Sequence, residues 1–165
     1  MLLNLIDRAS RFAALASRVL FIILIVSMLY EVISRYLFNA STIWAFDISY
    51  MATGAAFVLG IGWTLKVDGH VKIDIIVQLL PERVRKFILG FSYIFMLLPV
   101  VAVIAWNGWE RTISAYITGE VETVSTWAPL MWPFYLAIAV GLSTFSLQLL
   151  AEGIRNFTEK PNKLD

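Results

Sequence analysis

Long apolar segments separated by short polar stretches dominate the pattern of this chain. Because an α-helix rises 1.5 Å per residue, about 20 apolar residues span the roughly 30 Å hydrocarbon core of a bilayer. The pattern predicts an all-α membrane protein with four transmembrane helices, at about residues 18–38, 48–65, 87–109 and 129–151. We assign residues 1–165 to a single four-helix transmembrane domain, with a basic N-terminal entry at 1–17 and a short cytoplasmic tail at 152–165.

A few residues indicate where these helices end, begin and bend. Asn39 suits the C-terminal stop of the first helix, and Pro129 suits the first turn of the fourth. Pro99, near the middle of the third span, lacks a backbone N–H and predicts a kink there. Segment 75–80 places its apolar residues on one helical face, which predicts a short interfacial amphipathic helix between the second and third spans.

Lysine and arginine are distributed unevenly between the two sides of such a domain. Of the 13 cationic residues, 11 lie in the N-terminal segment, the loop between the second and third helices, and the tail. The other two, Arg35 and Arg111, lie toward the opposite side. Since cytoplasmic loops carry the excess of positive charge, we predict that both termini are in the cytoplasm, N-in and C-in.

Composition supports a lipid environment and excludes several kinds of chemistry. Hydrophobic residues make up 59% of the chain and charged residues 15%, whereas soluble domains have about 25% charged residues. A net charge of +1 argues against binding to nucleic acid, which needs a basic patch or stripe. The chain has no cysteine and a single histidine, His70, which excludes thiolate chemistry and most zinc and haem sites. We expect no enzyme activity, and no cofactor or metal in this chain.

The second predicted helix carries a stripe of small residues spaced four apart, Ala52, Ala56, Gly60 and Thr64. Small residues allow helices to approach closely in lipid, where the hydrophobic effect does not drive helix association. We therefore expect this face to pack against another helix.

Glu31 and Arg35 are four residues apart in the first helix and can form an ion pair. Charged residues inside a membrane are costly and are candidates for function. A structural ion pair is one interpretation, and a proton or ion site is the other. A relay needs a second buried acid, and the three other predicted helices contain none, so transport by this chain alone is disfavoured.

Several other polar residues are candidates for contacts with partners. Asp47 suits the N-terminal dipole of the second helix and also the rim of an interface. In the turn with sequence GHVKID, the alternatives are a solvated loop and a segment packed on a partner. Glu120 and Glu122 make the loop between the third and fourth helices acidic, suited to facing a soluble partner outside the membrane.

In this order and spacing, the segments RYLFN, WAFD, the small-residue helix, GHVKID and WAPLMWPF resemble one transporter family. It is the small membrane subunit (DctQ/SiaQ type) of TRAP transporters, the tripartite ATP-independent periplasmic carriers. The resemblance covers nearly the whole chain and is most specific between Arg35 and Asp74.

The resemblance implies a scaffold subunit of a sodium-coupled carrier in the bacterial inner membrane. Its partners would be a large membrane subunit that carries substrate and sodium, a periplasmic binding protein that delivers an organic acid, and membrane lipids. An interfacial phospholipid is compatible with this interpretation. The candidates for the subunit interface are Ala52, Ala56, Gly60, Trp44, Asp47, Gly69, His70 and Asp74. The candidates for facing the binding protein are Glu120 and Glu122.

The main alternative is a homodimeric four-helix exporter that uses Glu31 as its proton-coupled site. The outward position of Glu31 and its neighbour Arg35 argue against this alternative. An intramembrane enzyme is disfavoured by the single loop histidine and the absence of cysteine.

Overall fold

A computed structural model describes residues 2–67 and 81–158. Apart from one isolated β-bridge, these residues form helices and short linkers. The helices are α1 (Leu2–Phe38), α2 (Ala45–Lys66), α3 (Glu82–Phe91), a π-helical segment (Ser92–Leu97), α4 (Leu98–Thr118) and α5 (Trp132–Thr158). The third rod, as we call it, is the continuous helical segment formed by α3, the π-helical segment and α4. Among the described residues, four helical segments are long and apolar enough to cross a membrane. This agrees with the predicted fold class.

The helices run alternately up and down between two ends of the molecule. The terminal end carries the start of α1 and the end of α5, and the loop end carries linkers 39–44 and 119–131. α2 lies between α1 and α5, and α1 also contacts α5. The third rod makes its main contacts with α5, on the far side from α2.

α1 is longer than the predicted first span. It is continuous from Leu2 to Phe38, so residues 2–17 of the basic entry are part of the same helix. This N-terminal part of α1 packs on the rest of the chain through small side chains, since Ser10, Ala13, Ala14 and Ser17 are buried. α1 ends where predicted, at Asn39, whose positive φ of 52° breaks the helical path.

The helix predicted to begin at about Pro129 begins three residues later, at Trp132. Linker 119–131 doubles back on itself, with the Glu122 N–H bonded to the Pro129 carbonyl at 2.9 Å. The Met131 N–H also donates to the Glu120 carbonyl at 3.0 Å. These bonds hold Pro129 outside the helix, and Pro133 occupies the first turn instead.

Pro99 lies directly after the π-helical segment, at the beginning of α4. A proline removes one helical hydrogen bond and its ring clashes with the carbonyl four residues earlier. A wider π turn just before the proline accommodates both effects. The structure therefore shows a π-helical segment next to Pro99, and the predicted kink itself stays a prediction.

Candidate functional site

Glu31, near the loop end of α1, accepts hydrogen bonds through both of its carboxylate oxygens. The Arg35 Nε donates to its Oε1 at 2.9 Å, and the Thr42 N–H donates to its Oε2 at 2.8 Å. The Thr42 hydroxyl also donates to Oε2. Asn39 reverses the chain and brings Thr42 back toward α1. Glu31 is therefore an acceptor that ties linker 39–44 to α1, in addition to its ion pair with Arg35.

The Glu31 carboxylate and the Arg35 guanidinium differ sharply in exposure. The Glu31 side chain is 11% exposed, whereas that of Arg35 is 59% exposed. Both oxygens of Glu31 already accept hydrogen bonds from the chain itself. Thr42 was not identified from the sequence, because it follows the turn and no helical spacing links it to Glu31.

Asp47 is buried in the first turn of α2, with 3% of the residue exposed. Its carboxylate accepts a hydrogen bond from the Ser125 hydroxyl in linker 119–131. The same hydroxyl oxygen accepts the Trp127 N–H at 3.1 Å. Trp44 stacks on Tyr30 of α1, with ring centroids 5.6 Å apart. Asp47 and Trp44 thus contact their own chain.

Glu120 and Glu122 also have donors within the chain. Arg111 binds Glu120 at 2.5 Å, and the Tyr50 hydroxyl donates to Glu122 at 3.1 Å. Both acids are only partly exposed. Their role toward a binding protein stays a prediction.

The stripe of small residues packs inside the chain. Ala52 and Ala56 are 5% and 1% exposed. The Ser17 hydroxyl of α1 donates to the Ala56 carbonyl at 2.6 Å, and a Cβ on Gly60 would lie 3.2 Å from the same hydroxyl oxygen. The stripe therefore packs on α1 within this chain. Ala52 and Ala56 are buried there and Gly60 is half-buried, and a role for these residues at a subunit interface stays a prediction.

The remaining candidates for the subunit interface, Gly69, His70 and Asp74, lie outside the described residues. The predicted interfacial helix at 75–80 also lies outside them. No group of three or more potential metal ligands occurs within residues 2–67 and 81–158.

A second polar cluster lies at the terminal end, and its members in α1, Asp7 and Ser10, were not identified from the sequence. Its centre is Gln148, fully buried in α5. Ser10 donates to the Gln148 Oε1 at 2.8 Å, and the Gln148 Nε2 donates to Asp7 at 3.2 Å and to Glu152 at 2.9 Å. Arg155 binds Asp7 at 2.8 Å. This terminal-end cluster joins α1 to α5.

Lys66 extends the terminal-end cluster to α2 through an ion pair with Asp7. The helices α1, α2 and α5 are therefore joined at the carboxylate of Asp7. A glutamine in an apolar helix was the available signal, since a buried amide needs partners. Its partners in α1 are 138 and 141 residues away, and sequence spacing does not connect them.

Between the two polar ends the described helices carry no acidic residue. The exterior there is apolar. In the third rod, only 6% of the residues in its most hydrophobic stretch are buried inside the molecule. Among its exposed side chains, Phe95 and Val103 are 63% and 62% exposed. In water such a surface would drive association, whereas in a bilayer it contacts lipid or another membrane helix.

Comparison with known proteins identifies the family. Residues 24–159 match the model of the family described as "Tripartite ATP-independent periplasmic transporters, DctQ component". The chain is 25% identical over 102 residues to a Vibrio cholerae C4-dicarboxylate TRAP transporter small permease protein DctQ. It is 31% identical over 68 residues to a Haemophilus influenzae sialic acid TRAP transporter permease protein SiaT.

The matched segments cover 57% and 41% of this chain, respectively. They cover 41% of the Vibrio protein and 11% of the Haemophilus protein, so the chain spans less than half of each relative. No solved structure matches significantly. The family match covers well over half of the chain and agrees with its four membrane-length helices. The chain therefore belongs to the DctQ family of TRAP transporter components, which are multi-pass proteins of the inner membrane and not enzymes.

Proposed function

We propose that this chain is the small scaffold subunit of a TRAP transporter. In this proposal it pairs with a large transport subunit for sodium-coupled uptake of an organic acid, which a periplasmic binding protein delivers. The observation that carries the proposal is the absence of any acidic residue between the polar ends of the described helices. Ion coupling inside a membrane generally uses buried ionisable groups, so the coupling ion should bind elsewhere in the complex.

The environment of Glu31 supports a scaffold over a proton-coupled exporter. A proton site must exchange its proton and its partner during a transport cycle. Glu31 instead bonds Arg35 through one oxygen and Thr42 through the other. These contacts tie α1 to the following linker, which is a structural role.

The names of the two relatives support an organic acid as the class of substrate. One is named for sialic acid and the other for C4-dicarboxylates, and both kinds of compound carry carboxylates. The two arginines at the loop end, Arg35 and Arg111, are already paired with Glu31 and Glu120 of the same chain. We therefore place recognition of the substrate in the partner subunits.

An exposed aromatic patch at the loop end is our candidate for contact with the large subunit. It consists of Tyr36, Leu37, Phe38 and Phe46, which are 73–80% exposed. These side chains flank the turn at Asn39 and the exposed guanidinium of Arg35. Aromatic and arginine side chains are enriched in protein interfaces.

Co-purification tests both the scaffold role and the proposed patch. With an affinity tag, this chain should retain the large TRAP subunit encoded in the same organism at a one-to-one ratio. Phe46→Ala should reduce that ratio, because Phe46 is 78% exposed in the patch. Phe95→Ala is the matched control. Phe95 is 63% exposed on the third rod and, like Phe46, contacts a neighbouring aromatic ring.

Each outcome of this experiment bears on a different statement. Equal losses in both variants would argue against the patch while leaving the scaffold role in place. A chain that purifies without the large subunit and transports substrate alone in proteoliposomes would refute the scaffold role.

A further inference from the structure

Three arginines lie on one side of α1 near the terminal end, at positions 8, 11 and 18. With 3.6 residues per turn they fall within an arc of about 80°. All three are exposed, and none forms an ion pair with a carboxylate in the described parts of the chain. The nearby acids Asp7 and Glu152 are already bound by Lys66 and Arg155. The positive charge of this face is therefore uncompensated among the described residues.

Two of these arginines line a pocket that contains an aromatic ring. The pocket has a volume of about 310 Å³, and its lining residues are Arg11, Phe12, Ala14, Leu15, Arg18 and Trp63. The Arg11 guanidinium carbon lies 5.3 Å from the centroid of the Trp63 ring. A cation–π contact orients the guanidinium while its N–H groups stay available to an anionic acceptor.

An apolar stripe leads away from this pocket along α1 toward the loop end. Leu15, Val19, Ile22 and Val26 share one helical face and are 53%, 50%, 61% and 60% exposed. Arg11, Trp63, Leu15 and Arg18 lie together in the pocket, and beyond Arg18 the exposed side chains of the stripe are aliphatic. Membrane proteins show this order from the headgroup region into the hydrocarbon core.

We propose that this pocket binds an anionic phospholipid. The phosphate lies between Arg11 and Arg18, the glycerol backbone rests against Trp63, and an acyl chain follows the stripe from Leu15 to Val26. Arginine suits this role because its planar fork donates two parallel hydrogen bonds to a phosphate. The proposal goes beyond the scaffold role and depends only on the chain lying in a membrane.

The combined charge and apolarity favour a lipid over other occupants. A soluble anion would use the arginines and leave the stripe uncovered. A packed helix from another protein would cover the stripe but would bury unpaired arginines, which is costly unless it supplied acids. A lipid with a charged headgroup satisfies both parts of the surface.

Native mass spectrometry of the full chain in detergent tests the site. The chain is titrated with phosphatidylglycerol and, separately, with zwitterionic phosphatidylethanolamine of the same acyl chains. We expect tighter binding of phosphatidylglycerol, and a loss of about tenfold or more in that affinity for the Arg11→Gln, Arg18→Gln double variant. Circular dichroism checks that the variant stays helical, and Arg11→Lys, which keeps the charge, should retain part of the preference.

Arg85→Gln is the matched control, because Arg85 lies at the same end on α3 and outside the pocket. It should leave the preference unchanged. Equal affinities for the two lipids, or an equal loss in Arg85→Gln, would overturn the proposal in favour of general electrostatic attraction. Displacement of phosphatidylglycerol by inorganic phosphate at similar concentrations would overturn it in favour of a simple anion pocket.

Discussion

Gly141 allows α2 and α5 to approach each other closely. A Cβ added at Gly141 would lie 2.7 Å from both the carbonyl carbon and the oxygen of Val58, and 2.9 Å from the backbone nitrogen of Leu59. Ordinary van der Waals contact begins at 3.4 Å, so the methyl group is 0.7 Å too close to two backbone atoms. Because no side chain can rotate away, Gly141→Ala must separate the two helices.

The magnitude follows from two opposing effects. Overpacking of this kind typically costs about 1–3 kcal/mol. Replacing glycine by alanine inside a helix returns up to about 1 kcal/mol. The difference is about 0–2 kcal/mol. Because the clash is with backbone atoms, which cannot rotate away, we expect Gly141→Ala to lower the free energy of unfolding by the upper half of that range, about 1–2 kcal/mol. On soluble-protein scaling this corresponds to a fall of several degrees in Tm.

Gly108→Ala provides the matched control, since Gly108 also lies at a helix–helix contact. Its added Cβ would lie 3.4 Å from the Cα and Cβ of Ala139, which is ordinary contact. This variant should be as stable as the wild type or slightly more stable. Thermal unfolding in detergent, followed by circular dichroism, measures both changes. A Gly141→Ala variant at least as stable as the wild type, or equal losses in the two variants, would refute the described approach of α2 to α5.

Three further predictions follow from other contacts. Gly153→Ala should also destabilise the protein, because the added Cβ would lie 2.5 Å from the Ile94 Cγ1. Ile94→Ala should relieve that clash, and a double-mutant cycle in thermal unfolding will detect the relief as coupling between the two sites. Arg35→Gln should lower the unfolding midpoint more than Glu31→Gln, because it leaves the less exposed of the two charges unpaired; equal effects would contradict the observed burial. The chain has no cysteine, so a single cysteine introduced at Thr118 is the only thiol. If both termini are cytoplasmic, this thiol should react with an impermeant reagent in intact cells. Reaction in lysed cells only would contradict the predicted orientation.

The count of membrane helices could be predicted from the sequence because hydropathy is a local property. The end of α1 at Asn39 was also predictable, since a residue with positive φ stops a helix wherever the helix packs. The start of α5 was not, because Pro129 is held outside the helix by bonds to Glu122 in the same linker. Local signals therefore identified the elements better than their exact boundaries.

The packing partners were the least predictable part of the molecule. A periodic stripe such as Ala52 and Ala56 identifies a face that packs closely, but it carries no information about which helix covers it. The partner of this stripe is Ser17 in the same chain. Asp7 and Gln148 could not be joined either, since their hydrogen bond spans 141 residues and depends on the order of the packed helices.

The polar contacts at the two ends of the molecule suit the proposed role of a fixed support. At the terminal end Asp7 ties α1 to both α2 and α5, and at the loop end Asp47 ties α2 to linker 119–131. Between these ends the approach at Gly141 leaves no space for α2 and α5 to slide past one another. We therefore expect the interactions at both ends and the close contact in the middle to hold α1, α2 and α5 together as one layer. The third rod makes its main contacts with α5 and is little buried, so any adjustment within this chain should occur there and leave the layer unchanged.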